Sequence, residues 1–327
     1  KGLTVTLVIE SESFLKSTES SSLSPVNGFY FSKSNGSQGD LRFFIDNKPQ
    51  VYVYDSDELV NVAINGYRPV PAVSDELSSL YKKIKTVVAS LIDYDMTQTQ
   101  IALSFYDYLA LNVEKESYDE GSYFTLNAKR RTQDCLEGVF ETKIASPAGF
   151  AKAYALMCAI AGIRAEVVTG SYDNADEEIT FDHVWNKIRI KNVWYNVDAY
   201  LGIAKYGDLQ VVAHKTFLVS DETYAKVTSL QEHGAAYNAS ENFDLAASGV
   251  VKTISSASEL AEFILDNASA GTYSIEIKFA DQAKTPEEFN EELASLGDAV
   301  NRRLAVEYVG LDSYTEAHIF VAIVKAE

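Results

Sequence analysis

The segment that decides the fold spans residues 138–202 and reads GVFETKIASPAGFAKAYALMCAIAGIRAEVVTGSYDNADEEITFDHVWNKIRIKNVWYNVDAYLG. Its pattern predicts a lead-in, a helix, a strand, an acidic loop and two further strands. The two strands carry His183 in DHVWN and Asp198 in VWYNVDAY. A histidine and an aspartate on paired strands, facing a helix N-terminus, would form the setting of a nucleophilic site. We therefore take His183 and Asp198 as the first candidate site residues.

Composition limits the classes of partner. The chain has 327 residues, of which 46% are hydrophobic and 23% charged, so it can bury a sizeable core. Its length suggests roughly two domains or three small ones. A net charge of −19 argues against nucleic acid and against an anionic membrane surface. Because no apolar run approaches the ~20 residues that span a bilayer, we expect no transmembrane segment.

Cysteine usage and the opening residues indicate a location. A serine-rich opening (STESSSLS), 20 tyrosines and only two cysteines suit a bacterial protein that is secreted or held at the cell surface. We expect any signal peptide to have been removed before Lys1. Cys135 and Cys158 are too few for a disulfide framework or a cysteine zinc site, although a single bridge between them stays open. Cys158 lies in an apolar helical run and is expected to be buried.

The first 75 residues have the pattern of a small β domain. Strands are predicted at residues 4–10, 28–33, 40–46, 50–55 and 59–64, with SNGSQG as a hairpin connection. The aromatic residues Phe43, Tyr52 and Tyr54 could form a sugar-binding face, but packing within the sheet is the favoured interpretation. The sequence RPVPAVSDE at 68–76 reads as a linker.

The remaining chain divides into two further predicted units. Residues 76–248 begin with two helices, at 77–91 and from Thr97, followed by a polar loop at 114–131 that contains the extended piece SYFTL. Residues 206–243 are expected to close that unit with a short strand and turns. Residues 249–327 follow the order β-α-β-α-β-β, with a capping box at Ser256 and Glu259 and a second helix from Thr285. The predicted fold class is α+β.

Three ordered motifs in the central unit resemble the transglutaminase-like superfamily of papain-like cysteine enzymes. In that family a cysteine lies two residues before a Gly-aromatic-Ala helix start, and His-x-Trp-Asn and Trp-Tyr-x-Val-Asp strands follow. The matching residues are Gly149-Phe150-Ala151, His183-Val184-Trp185-Asn186 and Trp194-Tyr195-Asn196-Val197-Asp198. The resemblance covers residues 77–243 and implies a papain-like core.

The resemblance also implies a mechanism and shows where this chain departs from it. A thiolate at the helix start would attack, the histidine would move the proton, and the aspartate would hold the imidazole ring. Here Pro147 occupies the nucleophile position, and proline offers neither a thiol nor an amide proton. Ser146 and Pro147 instead form a sound helix start, with Ser146 as N-cap and Pro147 as first residue. His183 and Asp198 would then be the remnant of a triad.

Two readings of this chain follow. In the first, the protein is a catalytically inactive relative with a binding or scaffolding role, and Trp185, Asn186, Trp194 and Ser146 are candidate groove residues. In the second, Ser146 or Cys135 replaces the missing thiol and the protein is an active acyl-transfer enzyme or peptidase. Cys158 cannot take that role, because it lies about 16 Å further along the same helix.

No metal or cofactor is expected. The acidic run at 173–178 lacks the glycine and the ligand spacing of a calcium loop, so a solvated hairpin tip is the favoured interpretation. His214, His233 and His318 show no metal-binding spacing. The expected partner is a protein, a peptide or a cell-wall ligand.

Overall fold

The computed structural model describes residues 29–32, 42–45, 49–72, 75–116, 132–172, 182–206, 209–233, 236–256, 258–260, 262–263, 272–280, 288, 291, 306–314 and 319–326. Several predicted features lie outside these residues: the strand at 4–10, SNGSQG, SYFTL, the acidic run, the start of the helix at Thr285, and His318.

The described elements mix helices and strands, which confirms the α+β class. The helices are α1 (Ser56–Ile64), α2 (Asp75–Leu91), α3 (Gln98–Asn112), α4 (Pro147–Ile160) and α5 (Asp221–Thr228). The first strands are β1 (Phe29–Ser32), β2 (Arg42–Ile45), β3 (Gln50–Val53), β4 (Arg68–Pro71), β5 (Glu114–Lys115) and β6 (Ile144–Ala145). The next are β7 (Arg164–Tyr172), β8 (Asp182–Ile190), β9 (Val193–Val197), β10 (Ile203–Tyr206), β11 (Leu209–Val212), β12 (Phe217–Val219) and β13 (Leu230–His233). The last are β14 (Lys252–Ile254), β15 (Thr272–Phe279), β16 (Val306–Tyr314) and β17 (Ile319–Ala326).

A five-stranded sheet packed against α4 forms the centre of the fold. Its strand order is β12-β9-β8-β7-β13, and every neighbouring pair is antiparallel. The hydrophobic helix α4 is buried along almost its whole length, because apolar residues cover it on all sides. One core cluster joins α2, α3, α4 and one face of the sheet, with members that include Ile84, Phe105, Leu156, Ile188 and Val197.

The two helices predicted ahead of the central segment are confirmed. In α2, Leu77, Leu80, Ile84 and Val88 are buried at the spacing of one helix face. The N-terminus of α3 is closed by a capping box between Thr97 and Gln100.

Two predictions for residues 59–76 were wrong. Residues 59–64 belong to α1 and not to a strand, because Asp55 caps the helix by accepting hydrogen bonds from the amides of Asp57 and Glu58. The predicted linker begins with β4, which pairs in parallel with β3. The favoured interpretation that Tyr52 and Tyr54 pack within the sheet is wrong as well, since these residues are 67% and 68% exposed.

Part of the predicted N-terminal domain shares the central core. Val53, Leu59, Val60 and Ala63 are buried in the same cluster as α4. Of the predicted strands, those at 28–33, 40–46 and 50–55 are confirmed as β1, β2 and β3, and β1 pairs antiparallel with β2. The domain boundaries themselves stay a prediction.

The closing segment of the central unit contains a helix that the sequence analysis missed. Residues 206–243 were expected to hold a short strand and turns, but α5 lies within them. Ser220 caps α5 by accepting from the amide of Thr223, and Asp221 and Glu222 lie in its first turn. The helix places Tyr224 next to the candidate site, as described below.

The C-terminal strands form a four-stranded sheet in the order β14-β15-β17-β16. The four strands predicted for residues 249–327 correspond to these four elements. Half of the predicted capping box is present: Ser256 Oγ accepts from the amide of Glu259, whereas the Glu259 carboxylate accepts from Ser255.

His214 joins this C-terminal sheet to the central unit. Its backbone amide donates to Oε1 of Glu276 on β15 at 2.6 Å, and its Nδ1 contacts the other oxygen of the same carboxylate. Its Nε2 lies 2.7 Å from Oδ1 of Asp107 on α3. Burial alone lowers the pKa of His214, but the two carboxylates outweigh it and raise that pKa to about 10. A charged imidazole therefore lies between two carboxylates at this junction.

The structure also tests the expectations for the two cysteines and for a transmembrane segment. Cys158 is fully buried, as predicted, and burial raises the pKa of its thiol. Neither Cys135 nor Cys158 forms a disulfide. Within the described ranges, no helix has the length and apolar character required to span a bilayer.

The start of α4 tolerates no side chain at Gly149. A Cβ atom there would lie 2.3 Å from the backbone oxygen of Gln133 and 3.1 Å from Cβ of Ala145. We expect Gly149→Ala to lower the free energy of unfolding by about 2 to 3 kcal/mol, because a backbone atom cannot rotate away. Urea denaturation measures this loss. Gly162→Ala is the control for backbone strain alone, since Gly162 has a φ of +77 but open space around it. An equal loss in both variants would contradict the steric explanation.

Candidate functional site

The N-terminus of α4 is closed by Ser146 and Pro147. Ser146 is extended and its hydroxyl accepts from the amide of Gly149 at 3.4 Å, while Pro147 is the first helical residue. The predicted cap is therefore confirmed. Proline suits this position because the first amides of a helix have no partner within the helix.

The hydroxyl of Ser146 is committed to the helix start. It donates to Oδ1 of Asp134 at 2.7 Å and lies 3.3 Å from the carbonyl oxygen of Gln133. The backbone amide of Ser146 donates to the same carbonyl at 3.0 Å. Only 2% of Ser146 is exposed. Its partners are thus structural groups, and His183 is not among them.

His183 and Asp198 form the buried pair that the sequence predicted. His183 is the second residue of β8, and Asp198 directly follows the last residue of β9. Nε2 of His183 lies 2.7 Å from Oδ2 of Asp198, and the two residues are 3% and 2% exposed. Since the carboxylate accepts at Nε2, any proton exchange with a reacting group would use Nδ1.

Asp198 has further partners that hold it in place. Tyr224 on α5 donates its hydroxyl to Oδ2 at 2.8 Å, and the amide of Leu201 donates to Oδ1 at 3.0 Å. Burial alone raises the pKa of Asp198, but the charge of His183 and these hydrogen bonds lower it below its ordinary value. Asp198 therefore stays a carboxylate.

Aromatic rings enclose the pair and connect it to α4. The rings of Trp185 and Tyr224 stack at 4.8 Å, and that of Trp185 lies 6.2 Å from His183. On another side, Tyr200 lies 5.8 Å from His183 and 5.4 Å from Phe150 of α4. The pair is therefore shielded from solvent, and its hydrogen bonds are made to partners that packing holds in place.

Two of the predicted groove residues have structural partners. Trp185 is 1% exposed and donates Nε1 to Oδ1 of Asn196 at 2.9 Å. The Asn186 amide donates to the backbone oxygen of Ala151 on α4 at 2.9 Å, which ties the sheet to the helix. Their roles as ligand-binding residues stay a prediction.

Trp194 lies away from the pair. It is the second residue of β9 and lies opposite Arg189. Arg189 is six residues along β8 from His183, or about 20 Å at the rise of a strand. Its indole ring stacks on Tyr237 at 4.2 Å. The structure thus separates Trp194 from the predicted groove.

The sequence analysis missed Tyr224 and the contacts behind Asp198. Thr216 donates to the backbone oxygen of Asp198 at 2.8 Å, and its hydroxyl lies 3.0 Å from that of Tyr106. The signal for α5, and so for Tyr224, was the SDET sequence at Ser220, a cap followed by acidic residues. Nothing local in the sequence could have paired Tyr106 with Thr216.

The described part of the chain contains no cluster of three or more metal-ligating side chains. Cys135 is 2% exposed and directly follows the short helical turn Thr132–Asp134, whose residues contact Ser146 at the start of α4. The thiol is therefore shielded from solvent. A buried histidine–aspartate pair can hold and transfer a proton, but a covalent reaction also needs a nucleophile beside it.

Comparison with known proteins places these features in a family. The family described as the transglutaminase-like superfamily matches residues 85–199, which include α4, His183 and Asp198. Among curated proteins, none matches the chain.

Several solved structures are similar in part. A candidate cysteine protease from Cytophaga hutchinsonii is 15% identical, with 51% of this chain and 54% of that chain covered and a TM-score of 0.28. A TGase is 14% identical, with 81% and 66% covered and a TM-score of 0.31. A candidate protease from Parabacteroides distasonis is 9% identical, with 76% and 52% covered and a TM-score of 0.29. The chain thus spans 52% to 66% of the length of these proteins.

The family match and the site geometry agree. The matched range contains the capped helix, and it contains the two strands that bring His183 and Asp198 together. Residues 85–199 of this chain belong to the transglutaminase-like superfamily.

Proposed function

We propose that this protein is a catalytically inactive member of the transglutaminase-like superfamily that binds a protein, peptide or cell-wall ligand at the bacterial cell surface. One observation carries the proposal. The helix start at which the family places its nucleophile is a closed cap, with Pro147 as first residue and the Ser146 hydroxyl bonded to Asp134 and Gly149. The His183–Asp198 pair would then serve as a structural and binding element.

The alternative is an active enzyme that uses Ser146 or Cys135. Ser146 is a poor candidate, because its hydroxyl donates to Asp134 and an attacking hydroxyl must give its proton to the base. Cys135 is a poor candidate because it is 2% exposed. A reactive cysteine needs a partly exposed, electropositive environment that lowers the thiol pKa.

Activity assays separate the two readings. We expect no acyl transfer from a peptide to an amine and no peptide hydrolysis above the uncatalysed rate. Turnover that is lost in His183→Ala would contradict inactivity. Labelling of Ser146 or Cys135 by a mechanism-based acyl or thiol probe would identify the substitute nucleophile. Ser146→Ala should lower stability by about 1 kcal/mol through loss of the cap, without a change in activity.

Restoring the thiol tests the placement of the site. We expect Pro147→Cys to carry a thiol whose pKa lies below the ordinary value of about 8.5, since a helix N-terminus and an imidazolium both favour the thiolate. The pH dependence of alkylation by iodoacetamide measures this pKa. The native thiols of Cys135 and Cys158 are buried and should contribute little background.

The control for this experiment removes the histidine. In a Pro147→Cys, His183→Ala double variant, the thiol pKa should rise again by about one unit or more, because the charge partner is gone. An ordinary pKa in the single variant would mean that the helix start does not face His183, and it would remove the basis for assigning Pro147 to the nucleophile position.

The binding role has its own test. The purified protein should co-sediment with isolated bacterial cell walls or retain a wall peptide, and the retention should depend on residues around the pair. Tyr200 is suited to this test, because it is half-buried between His183 and Phe150. Tyr200→Ala should weaken retention at least tenfold. Retention that is unchanged in this variant would place any binding surface elsewhere.

A further inference from the structure

Two arginines stand side by side on the central sheet. Arg164 on β7 is directly opposite Arg189 on β8, and Arg189 is directly opposite Trp194 on β9. Residues directly opposite each other on antiparallel strands project from the same face, with Cβ atoms about 4.5 to 5.5 Å apart. The two guanidinium groups and the indole therefore form one row across three strands.

This row carries positive charge without a compensating carboxylate. Neither Arg164 nor Arg189 forms an ion pair within the described part of the chain. The Nε atom of Arg189 is buried and has no hydrogen-bond partner there. Like charges directly opposite each other destabilise a sheet. In a chain with a net charge of −19, carboxylates are plentiful, so their absence from this row is notable.

The neighbouring row does not neutralise the two arginines. It contains Lys187, whose Nζ forms ion pairs with Asp221 at 2.9 Å and with Glu232 at 2.5 Å. Both carboxylates are therefore paired with a lysine and not with an arginine. It also contains Glu166, opposite Lys187. Burial raises the pKa of Glu166, an effect that Arg164 and Lys187 only partly oppose. Among the residues that the structure describes, the negative groups in this region are therefore either engaged with Lys187 or beyond ion-pair distance of the arginines.

An aromatic platform holds one of the arginines in position. Trp194 and Tyr237 stack at 4.2 Å with an interplanar angle of 11°. The guanidinium of Arg164 lies over both rings, 5.4 Å from Trp194 and 5.0 Å from Tyr237, and its Nη2 donates to the Tyr237 hydroxyl at 2.5 Å. Cation–π contacts of this kind fix the guanidinium plane before any ligand arrives.

We propose that Arg164 and Arg189 bind an oxyanion, a phosphate or a carboxylate group, that bridges the two guanidiniums beside the Trp194–Tyr237 platform. Arginine offers planar pairs of N–H donors that match such groups. The anion would reduce the electrostatic repulsion between the two arginines. It would also supply a hydrogen-bond acceptor for the Nε group of Arg189. The site lies about 20 Å along β8 from His183, so it is independent of the proposed function.

Thermal unfolding in matched salts tests the proposal. The melting temperature is measured at constant ionic strength in sodium chloride, with sodium phosphate or sodium acetate replacing part of it. We expect a saturable rise with at least one of the two anions, since a ligand that binds only the folded state stabilises it by mass action. A rise with phosphate alone or with acetate alone identifies the source of the oxyanion.

Substitutions decide whether the rise comes from this row. In Arg189→Gln the apparent Kd for the active anion should increase at least tenfold, while Lys226→Gln, which removes an exposed lysine on α5, should leave it unchanged. Arg164→Gln should behave like Arg189→Gln. If Arg164→Gln fails to fold because the platform is lost, Arg189→Gln decides the question, because Arg189 makes none of the described platform contacts. No rise with either anion, or a rise that persists in Arg189→Gln, would overturn the proposal.

Discussion

Replacing Asp198 with alanine should lower the free energy of unfolding by about 3 to 5 kcal/mol, because each buried donor that loses its acceptor costs about 1 to 3 kcal/mol. The carboxylate accepts from Nε2 of His183, the hydroxyl of Tyr224 and the amide of Leu201. All three donors would lose their acceptor, and His183 is only 3% exposed. Urea denaturation at pH 7, with the midpoint and slope compared to those of the natural chain, measures the loss.

Two milder variants divide this effect. Tyr224→Phe removes one hydrogen bond to Asp198 and should cost about 1 to 2 kcal/mol. Asp198→Asn preserves the shape of the side chain and should cost less than Asp198→Ala, because the amide can bond to His183 in its other tautomer. A loss below about 1 kcal/mol in Asp198→Ala would contradict a structural role for the pair and would favour its retention for binding or chemistry.

The same pair makes a pH-dependent contribution. The folded pKa of Asp198 is lowered from its ordinary value of 3.8. Its contribution to stability is therefore complete above about pH 4 and is lost as the pH falls through the lowered folded pKa. The stability difference between the natural chain and Asp198→Ala should accordingly shrink in acid.

The centre of the fold could be predicted because local and periodic signals agree there. The Ser146–Pro147 cap, the apolar run of α4 and the motifs around His183 and Asp198 each specify an element and its place in the site. The prediction that His183 and Asp198 meet is confirmed by their 2.7 Å contact. A histidine and an aspartate near the adjacent ends of paired strands require no long-range information.

The features that escaped prediction depend on capping or on distant contacts. The apolar run at 59–64 is short enough to suit a strand or a helix, and the cap at Asp55 decides for a helix. Tyr224 reaches Asp198 only because α5 folds back over the sheet, which no local pattern specifies. Trp194 matched a family motif, yet its position in β9 places it with Arg189 and not with His183.

The junction at His214 could not be predicted from local sequence either, because its residues come from separate parts of the chain. Asp107 lies on α3 and Glu276 on β15, and both carboxylates contact the imidazole ring. Tyr106 and Phe217 enclose it, with ring centroids 5.3 and 6.0 Å away. Burial of Tyr106 raises the pKa of its phenol, so this ring stays uncharged beside the junction near neutral pH.

We expect this junction to make the protein less stable in alkaline solution. His214 has an ordinary pKa of 6.5 and a folded pKa of about 10, so the folded state holds the proton more tightly. Its contribution to stability is complete below about pH 6.5 and declines as the pH rises toward about 10.

The decline should approach about 1.4 kcal/mol for each pH unit between about pH 7.5 and 9.5, relative to a His214→Gln variant. Urea denaturation at a series of pH values measures it. Glu276→Gln keeps an acceptor for the His214 amide but removes a charge, and it should flatten the dependence. Glu222→Gln removes an exposed carboxylate on α5 and should leave the dependence unchanged. An equal alkaline decline in the natural chain and in His214→Gln would exclude His214 as its source, and with it the charged junction between β15 and α3.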